Sequence, residues 1–138
     1  MDPRARHAFA FLIAAQAAHS VEECVFRLFD VFAPARFVSG LFSEDPATGF
    51  ALGNVLIVLA GAASYVFRIR RPHPSERAFA WFWTGLEFAN GCGHCLFALL
   101  AGGYFPGVGT APLLLAVSSY LAARLMRSRH ATGSRFTG

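Results

Sequence analysis

Apolar residues fill four long runs of this chain, and the polar residues inside those runs are unevenly shared. The first run, about 8–29, is interrupted by Gln16, His19, Glu22, Glu23 and Arg27, whereas the second, about 49–67, contains no charge. The third, about 78–103, holds Glu87, Asn90 and His94, and the fourth, about 107–123, is again uncharged. A membrane-crossing helix needs about 20 mostly apolar residues, so the runs predict four transmembrane helices. Pro72 and Pro74 mark the turn between runs two and three, and Pro106 with Gly107 marks the turn before run four. Between Pro34 and Pro46, Phe37, Val38, Leu41 and Phe42 recur at helical spacing beside Arg36, which predicts a short interfacial helix that caps the bundle. The expected fold is therefore all-α: a four-transmembrane-helix bundle forming one membrane domain over residues 1–128. A disordered polar tail is expected over 129–138.

Composition agrees with this pattern. The 138 residues are 55% hydrophobic and only 14% charged, too little polar surface to wrap a water-soluble domain of this size. The 12 basic residues are all Arg, against 8 acidic ones, and they cluster at the ends of the apolar runs. That is a membrane-border distribution, and it argues against nucleic acid as a partner. Arg4 and Arg6 precede run one; Arg68, Arg70, Arg71 and Arg77 lie between runs two and three; Arg124, Arg127, Arg129 and Arg135 follow run four. Only Arg27 and Arg36 fall on the other side, so the positive-inside tendency puts both termini of a multi-pass membrane protein in the cytoplasm.

Two competing readings fit less well. Arg4, Arg6, the apolar stretch and the small residues of 14–18 imitate a secretory signal, yet polar residues continue down one helix face and the apolar pattern resumes to Phe29. A soluble four-helix bundle requires a polar face on every helix, and runs two and four lack one.

The ionisable groups inside runs one and three are the sharpest feature, because a charged side chain near the bilayer centre costs about 2.5–3.5 kcal/mol even on insertion scales. Glu22 and Glu23 follow His19 at i+3 and i+4, which puts all three near one helix face, with Gln16 one turn before. Glu87, Asn90 and His94 form a second stripe at i, i+3 and i+7. The two helices cross in the same direction; counted from their cytoplasmic ends, His19 falls level with Asn90 and Glu23 level with His94. One shared polar pocket is expected. On a regular helix Glu87 and His94 are about 10.5 Å apart along the axis, too far to share one ion easily.

His19-x-x-Glu22-Glu23, followed by Asn90-x-x-x-His94 with Glu87 upstream, resembles the HXXEE-motif family of small four-helix membrane proteins. The Pro106-Gly107 turn and the Thr110-Ala111-Pro112 start of run four are similar as well, so the resemblance covers roughly residues 8–123. It implies metal binding or an enzymatic role at these residues and names no reaction.

Two His and up to three Glu offer nitrogen and hard oxygen ligands suited to a divalent metal ion, zinc, iron or manganese rather than copper(I). The expected metal set is His19, Glu22, Glu23, Glu87, Asn90 and His94, with Asn90 as an orienting group and Glu23 or Glu87 as ligand or catalytic general base. A lipid-soluble small-molecule substrate reaching the site from the bilayer fits an enzyme. Two alternatives use the same residues: a metal-free acid/base enzyme of the lipid-isomerase type, and a metal-carrying or structural membrane module without turnover. A purely structural version pairs Glu23 with Arg27. Cys92-Gly93-His94-Cys95 imitates a thiol redox motif, but it lies inside a helical run, and packing cysteines are the simpler reading. Gly49-x-x-x-Gly53 suits either a homo-oligomer face or packing within the bundle. Trp81, Trp83 and Tyr104 are expected to anchor the membrane interface.

Overall fold

The computed structural model describes the backbone of residues 1–133 and the side chains of residues 1–127, and every regular element among them is helical. Helix α1, Pro3–Val25, starts at Asp2, whose carboxylate accepts the Ala5 N–H at 2.9 Å with Pro3 in the first turn. It stops before Phe29 because Arg27 takes a left-handed conformation with φ 53°. That conformation costs roughly 1–2 kcal/mol for a residue with a side chain. Burying Phe29, only 2% exposed after the chain folds back, offsets it. Two short helices follow, α2 (Leu28–Val31) and α3 (Ala33–Gly40), and α3 overlaps the first part of the stretch expected to cap the bundle, starting one residue before Pro34.

Helix α4, Pro46–Ser64, is capped by Asp45, which accepts the Thr48 N–H at 2.9 Å, and runs on through a π-helical turn, Tyr65–Ile69. Helix α5 spans Glu76–Ala101 and ends at Gly102, φ 65°. Helix α6 spans Ala111–Gly133, so its backbone enters the stretch expected as a polar tail; residues 134–138 lie outside the described residues.

Contacts at the two ends fix the helix directions. Glu76 at the start of α5 pairs with the Met1 ammonium and with Arg6 at 2.9 Å, while Arg124 of α6 reaches Asp2 at 3.2 Å. Burial alone would raise the Glu76 carboxyl, but the Met1 ammonium and Arg6 hold it below its ordinary value. Arg77 donates to the Leu125 carbonyl at 2.9 Å. The starts of α1 and α5 and the far part of α6 therefore share one Arg-rich end. Phe29 and Phe50 meet at 5.4 Å between ring centres, and Phe9 and Tyr65 stack at 6.3 Å, which makes α4 antiparallel to α1.

Two apolar clusters hold the bundle. One, with Phe9, Leu12, Ile69, Trp83, Leu121 and Leu125, lies toward the Arg-rich end, and the other, with Leu28, Phe29, Phe50 and Phe105, toward the opposite end. Between them a buried polar layer contains Gln16, His19, Glu23, Glu87 and His94. The outside is the reverse. Phe11, Val25, Phe37, Phe67, Leu99 and Leu100 are each well over half exposed, Leu99 at 79%.

The fold bears on three expectations. Four spans are not confirmed: among the described residues only the helix Pro46–Ile69 is both long and apolar enough to cross a membrane. Helices α1 and α5 carry the polar stripes, and α6 begins at Ala111 rather than Gly107 and continues into Arg124 and Arg127. Trp83 is no interface anchor; it is 4% exposed and donates its indole N–H to Ser64 Oγ at 3.0 Å. Finally, Gly49 serves packing within the chain, since a Cβ there would lie 2.1 Å from the Ser39 carbonyl oxygen of α3.

Candidate metal centre

Helical periodicity turns His19 and Glu23 of α1 toward His94 of α5, and the three are buried together. Glu23 Oε1 lies 3.0 Å from His94 Nε2 and 3.5 Å from His19 Nε2. One ligand atom from each of the three residues falls within 4.8 Å of the others. The two imidazoles meet edge to face, with ring centres 4.6 Å apart.

The outward ring nitrogens decide what the inward ones offer. His94 Nδ1 lies 2.6 Å from the Pro106 carbonyl oxygen, which only accepts, so Nδ1 carries the hydrogen. His19 Nδ1 lies 2.7 Å from Thr110 Oγ1. The Thr110 hydroxyl donates to Glu22 Oε2 at 2.6 Å, and it is therefore left to accept the His19 N–H. In the neutral form both histidines thus turn an Nε2 lone pair inward, toward a carboxylate oxygen. His19 Nε2 has no hydrogen-bond partner among the described residues. Lone pairs converging on a carboxylate repel unless a cation or added protons stand among them. An imidazole held by Nδ1–H to a carbonyl or hydroxyl with Nε2 free is the usual state of a metal ligand. Two His and one Glu match donor sets that hold zinc or non-haem iron with positions left open.

The segment between α5 and α6 makes this arrangement possible. Rather than a simple turn at Pro106-Gly107, it folds back against the bundle, with Phe105, Pro106 and Gly107 buried. Gly107 has φ 96°, and a Cβ there would come 2.5 Å from His94 Nδ1 and 2.9 Å from His19 Cε1. Only glycine fits this position.

The other expected site residues lie outside the three-residue group. Glu22 accepts the Gly109 and Thr110 N–H groups at 2.9 and 2.7 Å, the Thr110 hydroxyl, and the Tyr104 hydroxyl at 2.6 Å. Its carboxylate holds the donors just before α6. Burial and the Glu22 carboxylate push the Tyr104 hydroxyl up to about 12, so it remains a donor. Glu87 is 1% exposed, with Oε2 unpartnered among the described residues. Asn90 Nδ2 stands 3.5 Å from Gln16 Oε1, so Asn90 is level with Gln16 rather than His19. Arg27 pairs with Asp30, not with Glu23. The three cysteines are free, and Cys92 faces outward instead of packing inside.

Sequence reasoning did not assign Thr110, Pro106, Gly107 or Tyr104 to the site. Thr110 carried a usable signal: a threonine ahead of Ala111-Pro112 reads as a helix cap whose hydroxyl is available. Beside the centre, α1, α3, α4 and α5 enclose a cavity of about 810 Å³. Gln16, Glu23, Glu87 and Asn90 line its polar wall, and most of the rest is apolar.

Neither a curated protein nor a solved structure matches the chain. Residues 10–122 match the family described as "Protein of unknown function with HXXEE motif". The motif itself is His19-Ser20-Val21-Glu22-Glu23, whose His and second Glu face His94 while the first Glu secures Thr110. The chain belongs to this HXXEE family.

Proposed function

We propose that this is a multi-pass integral membrane protein in which His19, Glu23 and His94 hold one divalent metal ion, zinc, iron or manganese, for a reaction on a lipid-soluble substrate. The observation that carries the metal reading is the convergence of two inward Nε2 atoms and Glu23 Oε1, each histidine being locked through its Nδ1–H. When bound, such an ion supplies Lewis acidity or activates a water near neutral pH. The chain's own residues do the rest: Thr110 and the Pro106 carbonyl orient the ligands, and the apolar clusters exclude bulk water.

The membrane reading is supported by an inside-out distribution, with large apolar side chains on the outside and ionisable ones in the core. Buried Ser39, Ser64, Thr84 and Ser118 each donate to a carbonyl of their own helix, which suits a medium without water. The bilayer is the partner that would cover the outside. The Arg distribution supports cytoplasmic termini.

A second reading has its own observation. Glu87, buried on the cavity wall with an unpartnered oxygen, suits a general acid or base acting without metal. One experiment separates the two: elemental analysis by mass spectrometry of detergent-purified protein carrying no His-tag, beside His19→Ala and His94→Ala. Near-stoichiometric metal lost in both variants is the expected result. Protein that stays metal-free after reconstitution sinks the metal reading and leaves the acid/base one.

A further inference from the structure

We propose that the cavity beside the centre binds an apolar molecule with a single hydrogen-bond-donating head, an alcohol or a primary amine, which enters sideways between α4 and α5. The proposal rests on the membrane reading above for the route of entry, but the binding it describes needs neither metal nor turnover.

The opening follows from how the helices pack. Helix α1 packs on α4, and α5 packs on α6, while α5 meets the α4 arm mainly at the π-helical turn Tyr65–Ile69. Above that turn the two helices diverge, and the gap between them is the cavity, backed by α1 and covered at the far end by α3. Leu56 and Ile57 of α4 and Phe82 and Leu86 of α5 line the gap and are also exposed on the outer surface. A molecule dissolved in hydrocarbon can therefore enter without crossing a polar barrier. The volume of about 810 Å³ is in the range that drug-sized molecules fill.

The polar wall sets the chemistry of the head. The lining carries two carboxyl groups, Glu23 and Glu87, and three amides, Gln16, Asn90 and, on α4, Asn54, which donates to the Phe50 carbonyl, with no Arg, Lys or His among the residues lining the cavity. Glu87 Oε2 is the decisive atom, because a carboxyl oxygen buried in a residue 1% exposed and itself unpartnered among the described residues is costly unless a polar group of an incoming molecule meets it. At Glu87 a carboxylate, phosphate or sulfate head would meet an acidic group with no cationic side chain in the lining to offset it, whereas a hydroxyl or ammonium head donates to Glu87 while its hydrocarbon fills the rest.

The test uses three probes of one series, a twelve-carbon alcohol, amine and carboxylic acid, each with a photoreactive diazirine at the chain end. Protein in phosphatidylcholine nanodiscs is labelled with a trace of each, and the labelled residues are mapped by mass spectrometry. The alcohol and the amine are expected to label the α4–α5 gap at least about tenfold more than the acid, the ratio one charge-assisted hydrogen bond supplies. Ala60→Trp, which fills the gap away from the polar wall, should abolish that labelling, and Glu87→Leu should remove the preference over the acid. Metal-free His94→Ala should keep the labelling, so failure of the metal reading leaves this inference standing. Equal labelling by the acid, or labelling of the gap unchanged by Ala60→Trp, overturns it.

Discussion

Neutral His94 meets Glu23 with its lone-pair nitrogen rather than its N–H. Nε2 stands 3.0 Å from Glu23 Oε1, while Nδ1 is spent on the Pro106 carbonyl at 2.6 Å. A histidine that only balanced a buried carboxylate would gain most by giving it the proton. Here the backbone takes the proton instead, which prepares the inner face of the imidazole to receive a cation or to hold a second proton. His19 repeats the arrangement through Thr110, so the two histidines are set alike by groups from one reentrant segment.

Thr110 is accordingly a positioning residue. Thr110→Val keeps the shape but removes the hydroxyl that links His19 to Glu22, and metal affinity should fall by about 10–100-fold, the usual cost of losing a partner that orients a ligand. Thr110→Ser should restore most of it. Competition with a metal-sensitive chelating dye reads the affinity directly. Equal affinity in the Val variant would show that Thr110 serves only to start α6.

Gly107→Ala should be among the most damaging single-methyl additions in the chain. The backbone at φ 96° already penalises any side chain, and the new carbon would overlap His94 Nδ1. The segment must lift, which breaks the His94–Pro106 bond. The expected outcome is loss of metal together with a lower unfolding temperature, whereas Gly103→Ala, where a Cβ meets nothing within 4 Å, should leave both nearly unchanged. Metal content and thermal unfolding measured on the two variants check this.

Much of the centre was legible in the sequence because helix periodicity is local and reliable. The i+4 step from His19 to Glu23, together with the shared direction of α1 and α5, placed Glu23 level with His94, and the structure agrees. The division of labour inside the motif was not legible. Glu22 is only one residue from Glu23, but its partners lie in 104–110, a segment with no periodic pattern to reveal that it folds back. The break at Arg27 was equally hidden, since a left-handed residue that is neither Gly nor Asn leaves no mark in composition. The four uncharged or striped runs gave the order of the long helices, but their limits depended on caps and on Arg-bearing extensions that hydropathy does not weigh.

The Arg-rich end makes stability depend on acid. Glu76 and Asp2 both sit below their ordinary values. Burial opposes the shift at each, and the Met1 ammonium with Arg6 at Glu76, and the Ala5 N–H with Arg124 at Asp2, outweigh it. A carboxyl that binds its proton less tightly folded than unfolded adds stability above its ordinary value and loses it as pH falls below. Unfolding temperature should therefore hold between pH 7 and 5 and drop from about pH 4.5 downward. In Glu76→Gln the midpoint at pH 7 should be lower and the acid slope shallower. An acid slope as steep as that of the original chain would place the loss at other carboxylates.

Glu87 should show the opposite sign. Its Oε2 is buried without a partner, and replacing such a group by an apolar one of similar size removes a penalty of about 1–3 kcal/mol. Glu87→Leu is therefore expected to raise the unfolding temperature in detergent. Glu23→Leu should lower it, because that carboxylate, through the cation or proton it shares with the two inward-facing histidines, ties α1 to α5. A stabilising substitution at one buried carboxylate beside a destabilising one at another separates a group kept for the ligand from a group kept for the centre. If Glu87→Leu instead destabilises the protein as strongly as Glu23→Leu, Glu87 has a structural partner and is no longer free to receive a ligand's donor.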